Sequence, residues 1–135
     1  METVLVPVRY PLSEHSARTL QRAVEIADER DAELVVLHVS LYQQGEGVTR
    51  HQLKSGVEAE VGRLSNARYL VDRAFIVEDQ IMDEIIAEDA DVVVLGHKQL
   101  APWRRAINRL LDDPDIAEYL QENVDVEFVI VEAST

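Results

Sequence analysis

Four short apolar runs constrain this 135-residue chain more than any other feature. Residues 4–8 read VLVPV, 33–39 ELVVLHV, 91–95 DVVVL and 126–131 VEFVIV. They are rich in valine, isoleucine and leucine and do not alternate cleanly with polar residues, so as strands they need cover on both faces. A partly polar run at 69–77 predicts a fifth strand nearer a sheet edge. Between these runs the apolar spacing changes to the helical one. Leu20, Val24 and Ala27 share one side of residues 13–30, Val57, Val61 and Leu64 mark 49–65, and Ile81, Ile85 and Ile86 follow Asp79, a candidate cap. Strands and helices in alternation imply one α/β domain over 1–135, a three-layer sandwich around a five-stranded parallel sheet. In such sheets ligands bind beyond the carboxyl ends of the strands, which places the candidate site at 7–13, 38–42 and 96–105.

The segment after residue 95 departs from a simple strand-to-helix turn. A strand ending in Gly96 is where a phosphate-cradling loop often begins, yet no further glycine follows anywhere in the chain. Pro102 suits a first helical turn, and Trp103, Ile107, Leu110 and Leu111 then form an apolar stripe. This predicts an amphipathic helix over 102–111 packed across the strand-end cleft, with a second short helix at 115–122. The same stretch holds Lys98, Arg104, Arg105 and Arg109 without an acid, a local charge of +4 in a chain of net charge −13. Eight acids and no base follow between Asp112 and Glu132. Two readings stay open: the arginines pair with those acids, or they form an anion or acidic-partner site, since a guanidinium suits phosphate through paired donors.

Charge and composition exclude several classes. With 26 acidic side chains against 13 basic ones, the chain is a poor binder of nucleic acid or an anionic membrane. Only two of the basic residues are lysines, and the acidic balance is read as adaptation to high salt, where repulsion is screened. Cysteine is absent, so there is no disulfide and no thiolate chemistry. No apolar run approaches the ~18 residues of a membrane span, and the start lacks the pattern of a secretory signal. The expected location is the cytoplasm.

Candidate chemistry is sparse. Ser13, His15 and Ser16 could pair a hydroxyl with a base, but neighbours two apart on a helix do not face each other, and helix capping is the simpler role. His38 and His97 end two strands, but without a carboxylate or cysteine partner they make a poor metal site. The run Asp112 to Asp115 lacks the ligand alternation of a calcium loop. No catalytic or metal-binding residue is therefore assigned.

The order and spacing of these pieces, VLVPV, a Ser-Glu-His-Ser helix start, ELVVLHV, ADVVVLG, IAEYL and VEFVIV, resemble the universal stress protein family over essentially the whole chain. The resemblance implies a Rossmann-like fold of the adenine nucleotide alpha hydrolase-like kind, a dimer, and either of two branches, one that binds ATP and one that does not. ATP-binding members carry a glycine after the fourth strand, a second glycine after two intervening residues, and, after nine more, a third with serine or threonine. Here Gly96 matches the first, Gln99 stands at the second, and Asn108 to Leu110 or Pro114 with Asp115 fall at the third. The aspartate usual beyond the first strand is Arg9, followed by an extension through Tyr10 and Pro11. Pro7, Val39, Leu95 and Gly96 match as apolar or backbone contacts. The resemblance thus implies a stress-response or regulatory domain without catalysis, ATP or magnesium, whose partners are a second copy of itself and a protein of unknown kind. The alternative is a nucleotide-binding member whose site is Pro7, Arg9, Val39, Leu95, Gly96, Lys98, Arg104 and Arg105, with arginines replacing glycines. A hydrolase or transferase on the same fold is a further rival. The implied dimer closes the edge of the last strand through Val126, Phe128, Val129, Ile130 and Val131, an apolar edge that would be an aggregation hazard if left open.

Overall fold

A computed structural model describes residues 1–45, 47–123 and 125–132. The elements follow in the order β1 (Thr3–Pro7), α1 (Glu14–Arg30), β2 (Glu33–Leu41), α2 (Arg50–Val61), β3 (Ala67–Ala74), α3 (Val77–Ala87), β4 (Val92–Gly96), α4 (His97–Leu110), α5 (Pro114–Glu122) and β5 (Glu127–Val131). The five strands form one parallel sheet in the order β3-β2-β1-β4-β5. The chain builds outward from β1 to β3 and then returns to the other side of β1. The strand order therefore reverses between β1 and β4.

The unbroken apolar runs now have a cause. Alternate residues of each inner strand enter opposite cores: Val4, Val6, Leu34 and Val36 pack with Leu20, Ala23 and Leu53 of α1 and α2. Leu5, Val35, Leu37, Val93 and Leu95 pack with Ile81, Met82 and Ile85 of α3, with Trp103 and with Ile116. Burial of each large aliphatic side chain contributes roughly 1.5–3 kcal/mol, so a polar residue at any of these positions would unbalance one of the two layers.

Helix ends follow local chemistry. Ser13 caps α1 by accepting from the Ser16 N–H at 3.1 Å, and Thr49 with Gln52 forms a reciprocal capping box at α2. Gly56 lies where α2 meets Tyr10: a Cβ there would stand 2.9 Å from the Tyr10 ring, so the helix tolerates glycine for the sake of that contact.

Several boundaries differ from expectation. The third strand ends at Ala74, and Val77 already belongs to α3, whose N-cap is Ile76. Asp79 is therefore no cap. It accepts a two-pronged interaction from Arg109 at 2.6 and 3.1 Å, which ties α4 to α3. The helix after β4 begins at His97 with no intervening loop, so Pro102 lies in its second turn, where it removes the N–H that would have bonded to the Lys98 carbonyl.

On α3, burial, then repulsion from Asp72 and Glu88, raises the Glu84 carboxyl above its ordinary range. The folded state thus takes up this proton more readily than the unfolded chain, and the penalty of ionising Glu84 is absent below its ordinary value of 4.5 and grows as pH rises through the folded value. Glu84→Gln should raise the thermal midpoint at pH 7, with the gain shrinking as the pH falls toward 4.5. Melting curves of the two proteins across that range check this, and an equal difference at every pH would refute it.

Candidate functional site

Two adjoining hollows open over the carboxyl ends of the central strands, beside the reversal in strand order where an open α/β sheet accepts ligands. The smaller, about 580 Å³, lies between the start of α1 and the start of α4, bordered by Ser13, His15, Ser16, Arg18, Thr19 and Gln99. The larger, about 720 Å³, extends toward β2 and β3 and is bordered by Tyr10, His38, Val39, Phe75, Ile76, Leu95 and Trp103. Pro7, Arg9, Ser13, Lys98 and Gln99 border both.

Gly96 answers the question raised by the missing glycines. Its N–H donates to the Gln99 side chain at 2.8 Å, closing the first turn of α4 on itself. Its Cα faces α1: a Cβ would meet His15 Nε2 at 2.5 Å and Thr19 Oγ1 at 3.0 Å. Glycine is required here by packing of strand against helix. His15 Nε2 is buried at this contact without a hydrogen-bond partner, and burial, then the charges of Lys98, Arg18 and His97, lower its pKa, so the ring is held neutral.

The hydroxyls nearby are engaged in holding the backbone. Ser13 Oγ accepts from Ser16 N–H, Ser16 Oγ accepts from Arg9 N–H at 3.3 Å, and Thr19 donates to the His15 carbonyl at 3.0 Å. Capping is thus the structural role of Ser13. His38 lies in the larger hollow with Nδ1 on the Val8 carbonyl, whereas His97 Nδ1 faces Glu132 at 3.2 Å. The two histidines border no common hollow, and among the described residues no three metal-ligating side chains converge.

The residues singled out in the sequence separate into two places. Pro7, Arg9 and Lys98 border both hollows, Val39 and Leu95 border the larger one, and Gly96 lies beneath. Arg104 instead borders a third, apolar hollow of about 470 Å³ with Leu100, Ile107, Leu120, Phe128 and Ile130, and Arg105 is exposed and borders none of the three. The helix expected across the cleft packs beside it, against α3, β4 and β5, with buried Trp103 as a wall between the larger and the apolar hollow. Arg109 pairs with Asp79 and not with the acids after Leu111. Arg18 and Phe75 are site-lining residues that sequence reasoning did not pick out, whereas Tyr10 falls within the expected stretch 7–13. The extension through Tyr10 was visible, but only the fold turns that ring against Gly56 and His38.

At the far sheet edge, β5 has β4 as its one neighbour. Val126 and Ile130 pack into the Trp103 layer and Val129 and Val131 into the opposite one, while Phe128 is 40% exposed with its ring 6.1 Å from Trp103.

The sequence profile described as the universal stress protein family matches residues 1–132. A comparison with curated protein sequences gives no match. Among solved structures, a universal stress protein in complex with cAMP superposes with a TM-score of 0.65 at 18% identity, covering 98% of each chain. A universal stress protein family member from Burkholderia pseudomallei gives 0.61 at 13% identity, covering 98% of this chain and 96% of that one. The Archaeoglobus fulgidus universal stress protein in complex with dAMP gives 0.57 at 15% identity, covering 96% and 97%. At these identities the likeness is one of fold.

Because the Gly96 contact is with His15, Gly96→Ala should destabilise the fold by about 1–3 kcal/mol, the usual cost of overpacking. The loss should be smaller in a His15→Ala background, where the obstruction is gone. A denaturant double-mutant cycle checks this, and equal losses in both backgrounds would refute it.

Proposed function

The chain belongs to the universal stress protein family, and from that premise we propose that it is a non-catalytic stress-response or regulatory domain that does not hold ATP through a phosphate loop. The observation that carries this reading is α4 itself. A glycine-rich loop offers successive backbone N–H groups to phosphate, whereas here α4 starts at His97, the Gly96 N–H is taken by Gln99, and N–H groups beyond the first turn face their own helix. The engaged serines and the buried His15 nitrogen support the absence of catalysis.

A second reading is favoured by Arg9 and Lys98, which border both hollows and form no ion pair among the described residues. They would serve a nucleotide through side chains in place of glycines, and two of the similar structures hold cAMP and dAMP, each with a single phosphate. No helix among the described residues is long and apolar enough to cross a membrane. The location proposed is a saline cytoplasm, suited to the acidic composition.

The assembly proposed is a homodimer in which β5 of one chain pairs with its two-fold copy. The open edge of β5 and exposed Phe128 support it. Sedimentation equilibrium should give about twice the chain mass of 15.3 kDa, and a monomer at tens of micromolar protein would refute the dimer.

Mg-ATP titrated to millimolar concentration should give no saturable micromolar transition in calorimetry or in the emission of Trp103, the single tryptophan. A micromolar transition lost in Arg9→Ala with Lys98→Ala would establish the second reading. Substitution of Gly96 is unsuited to this test, because it disturbs His15 first.

A further inference from the structure

A ring acceptor that the protein leaves unused borders the larger hollow. His38 ends the buried part of β2 with only 8% of its surface exposed, and its Nδ1 lies 2.9 Å from the Val8 carbonyl oxygen. A carbonyl can only accept, so Nδ1 carries a proton, which in the single-proton tautomer leaves the lone pair on Nε2. Among the described residues Nε2 has no partner. It is also not sealed, since the buried unpartnered side-chain atoms are His15 Nε2 and the Tyr69 hydroxyl, and His38 borders the larger hollow.

The ring is held in this pose from two sides. Val8 fixes Nδ1, and Tyr10 meets the ring edge-on at 6.4 Å and 69°, an approach that depends on the absent side chain of Gly56. The same hollow is bordered by two cations, Arg9 and Lys98, and one carboxylate, Glu78, so its charged lining is net positive by one. An oriented acceptor and two cations in one concave space discriminate by chemistry: a ligand lacking a donor would leave Nε2 desolvated and unpaired, which costs affinity.

We propose that His38 is a specificity residue, and that the hollow takes a small organic anion which donates an N–H or O–H to His38 Nε2 while Arg9 and Lys98 meet its negative group. This rests on the reading that ligands enter at the strand ends without a phosphate loop, and it adds what the entrant must carry.

Protein labelled with ¹⁵N-histidine and at backbone amides separates the contributions. Inorganic phosphate supplies the anion alone, and adenosine 5′-monophosphate supplies a phosphate monoester with amino and hydroxyl donors. Phosphate should perturb the amides of Arg9 and Lys98 and leave the His38 Nε2 resonance in place. The monophosphate should perturb both, with Nε2 moving as an accepting nitrogen does. His38→Phe, which retains a ring and removes the acceptor, should weaken the monophosphate about tenfold, the scale of one hydrogen bond, and leave phosphate unchanged. Failure of the monophosphate to bind, binding with Nε2 unmoved, or an unaltered affinity in a folded His38→Phe would each overturn the proposal. If that variant does not fold, the Nε2 resonance of the unaltered protein decides. Micromolar Mg-ATP binding would refute the loss of the phosphate loop, whereas the response of Nε2 to the monophosphate still decides the role of His38.

Discussion

Two-sided burial of the central strands is the constraint from which the rest of this structure follows. β1 is paired on both edges and covered on both faces, so its main-chain polar groups are used by β2 and β4 and its side chains are divided between two cores. Only the strand ends remain free to vary. The two larger hollows lie at the carboxyl edge of the sheet, where β1, β2 and β4 stop and their connections turn away.

At that edge the same packing that builds the fold fixes how Gly96 is used. α1 lies against β4 closely enough that Gly96 has no room for a Cβ, and the chain enters α4 at once, with Gln99 satisfying the first amide. A conformationally free glycine can bring backbone to a phosphate or to another helix. Here it does the second. The side-chain cations at that edge are Arg9 and Lys98, which border a hollow whose other walls are apolar and aromatic side chains together with Ser13, Gln44, Glu78 and Gln99, and His38 is fixed there by its bond to the Val8 carbonyl.

The basic segment after β4 shows why linear proximity is a poor guide to electrostatics. Along α4, Lys98, Arg105 and Arg109 recur at spacings of seven and four on one side but are spread over about 16 Å of helix axis, and Arg104 turns to another side, so a run that sums to +4 in sequence is dispersed in space. Lys98 reaches the strand-end hollows, Arg104 borders an apolar one beside β5, and Arg109 crosses to Asp79 on a different helix. Its pairing with Asp79 is an exposed contact that ties α4 to α3.

Sequence by itself determined the layers. Unbroken apolar runs separated by helical spacing demand a parallel sheet covered on both faces, and local rules placed a cap at Ser13. Boundaries set by competition between neighbours were not legible. Val77 suits a strand by propensity but begins α3, and Pro102 suits a helix start but lies in a second turn, because α4 is held by its contacts with α3, β4 and β5. The site was half legible: Pro7, Arg9, Val39, Leu95 and Lys98 follow from their places at strand ends. The exclusion of Arg104 and Arg105, the approach of Tyr10 to His38 and the use of Gly96 against His15 depend on distances between elements far apart in the chain. Side-chain periodicity records which face of an element is buried, but not what it will be buried against, and that second fact belongs to the tertiary structure alone.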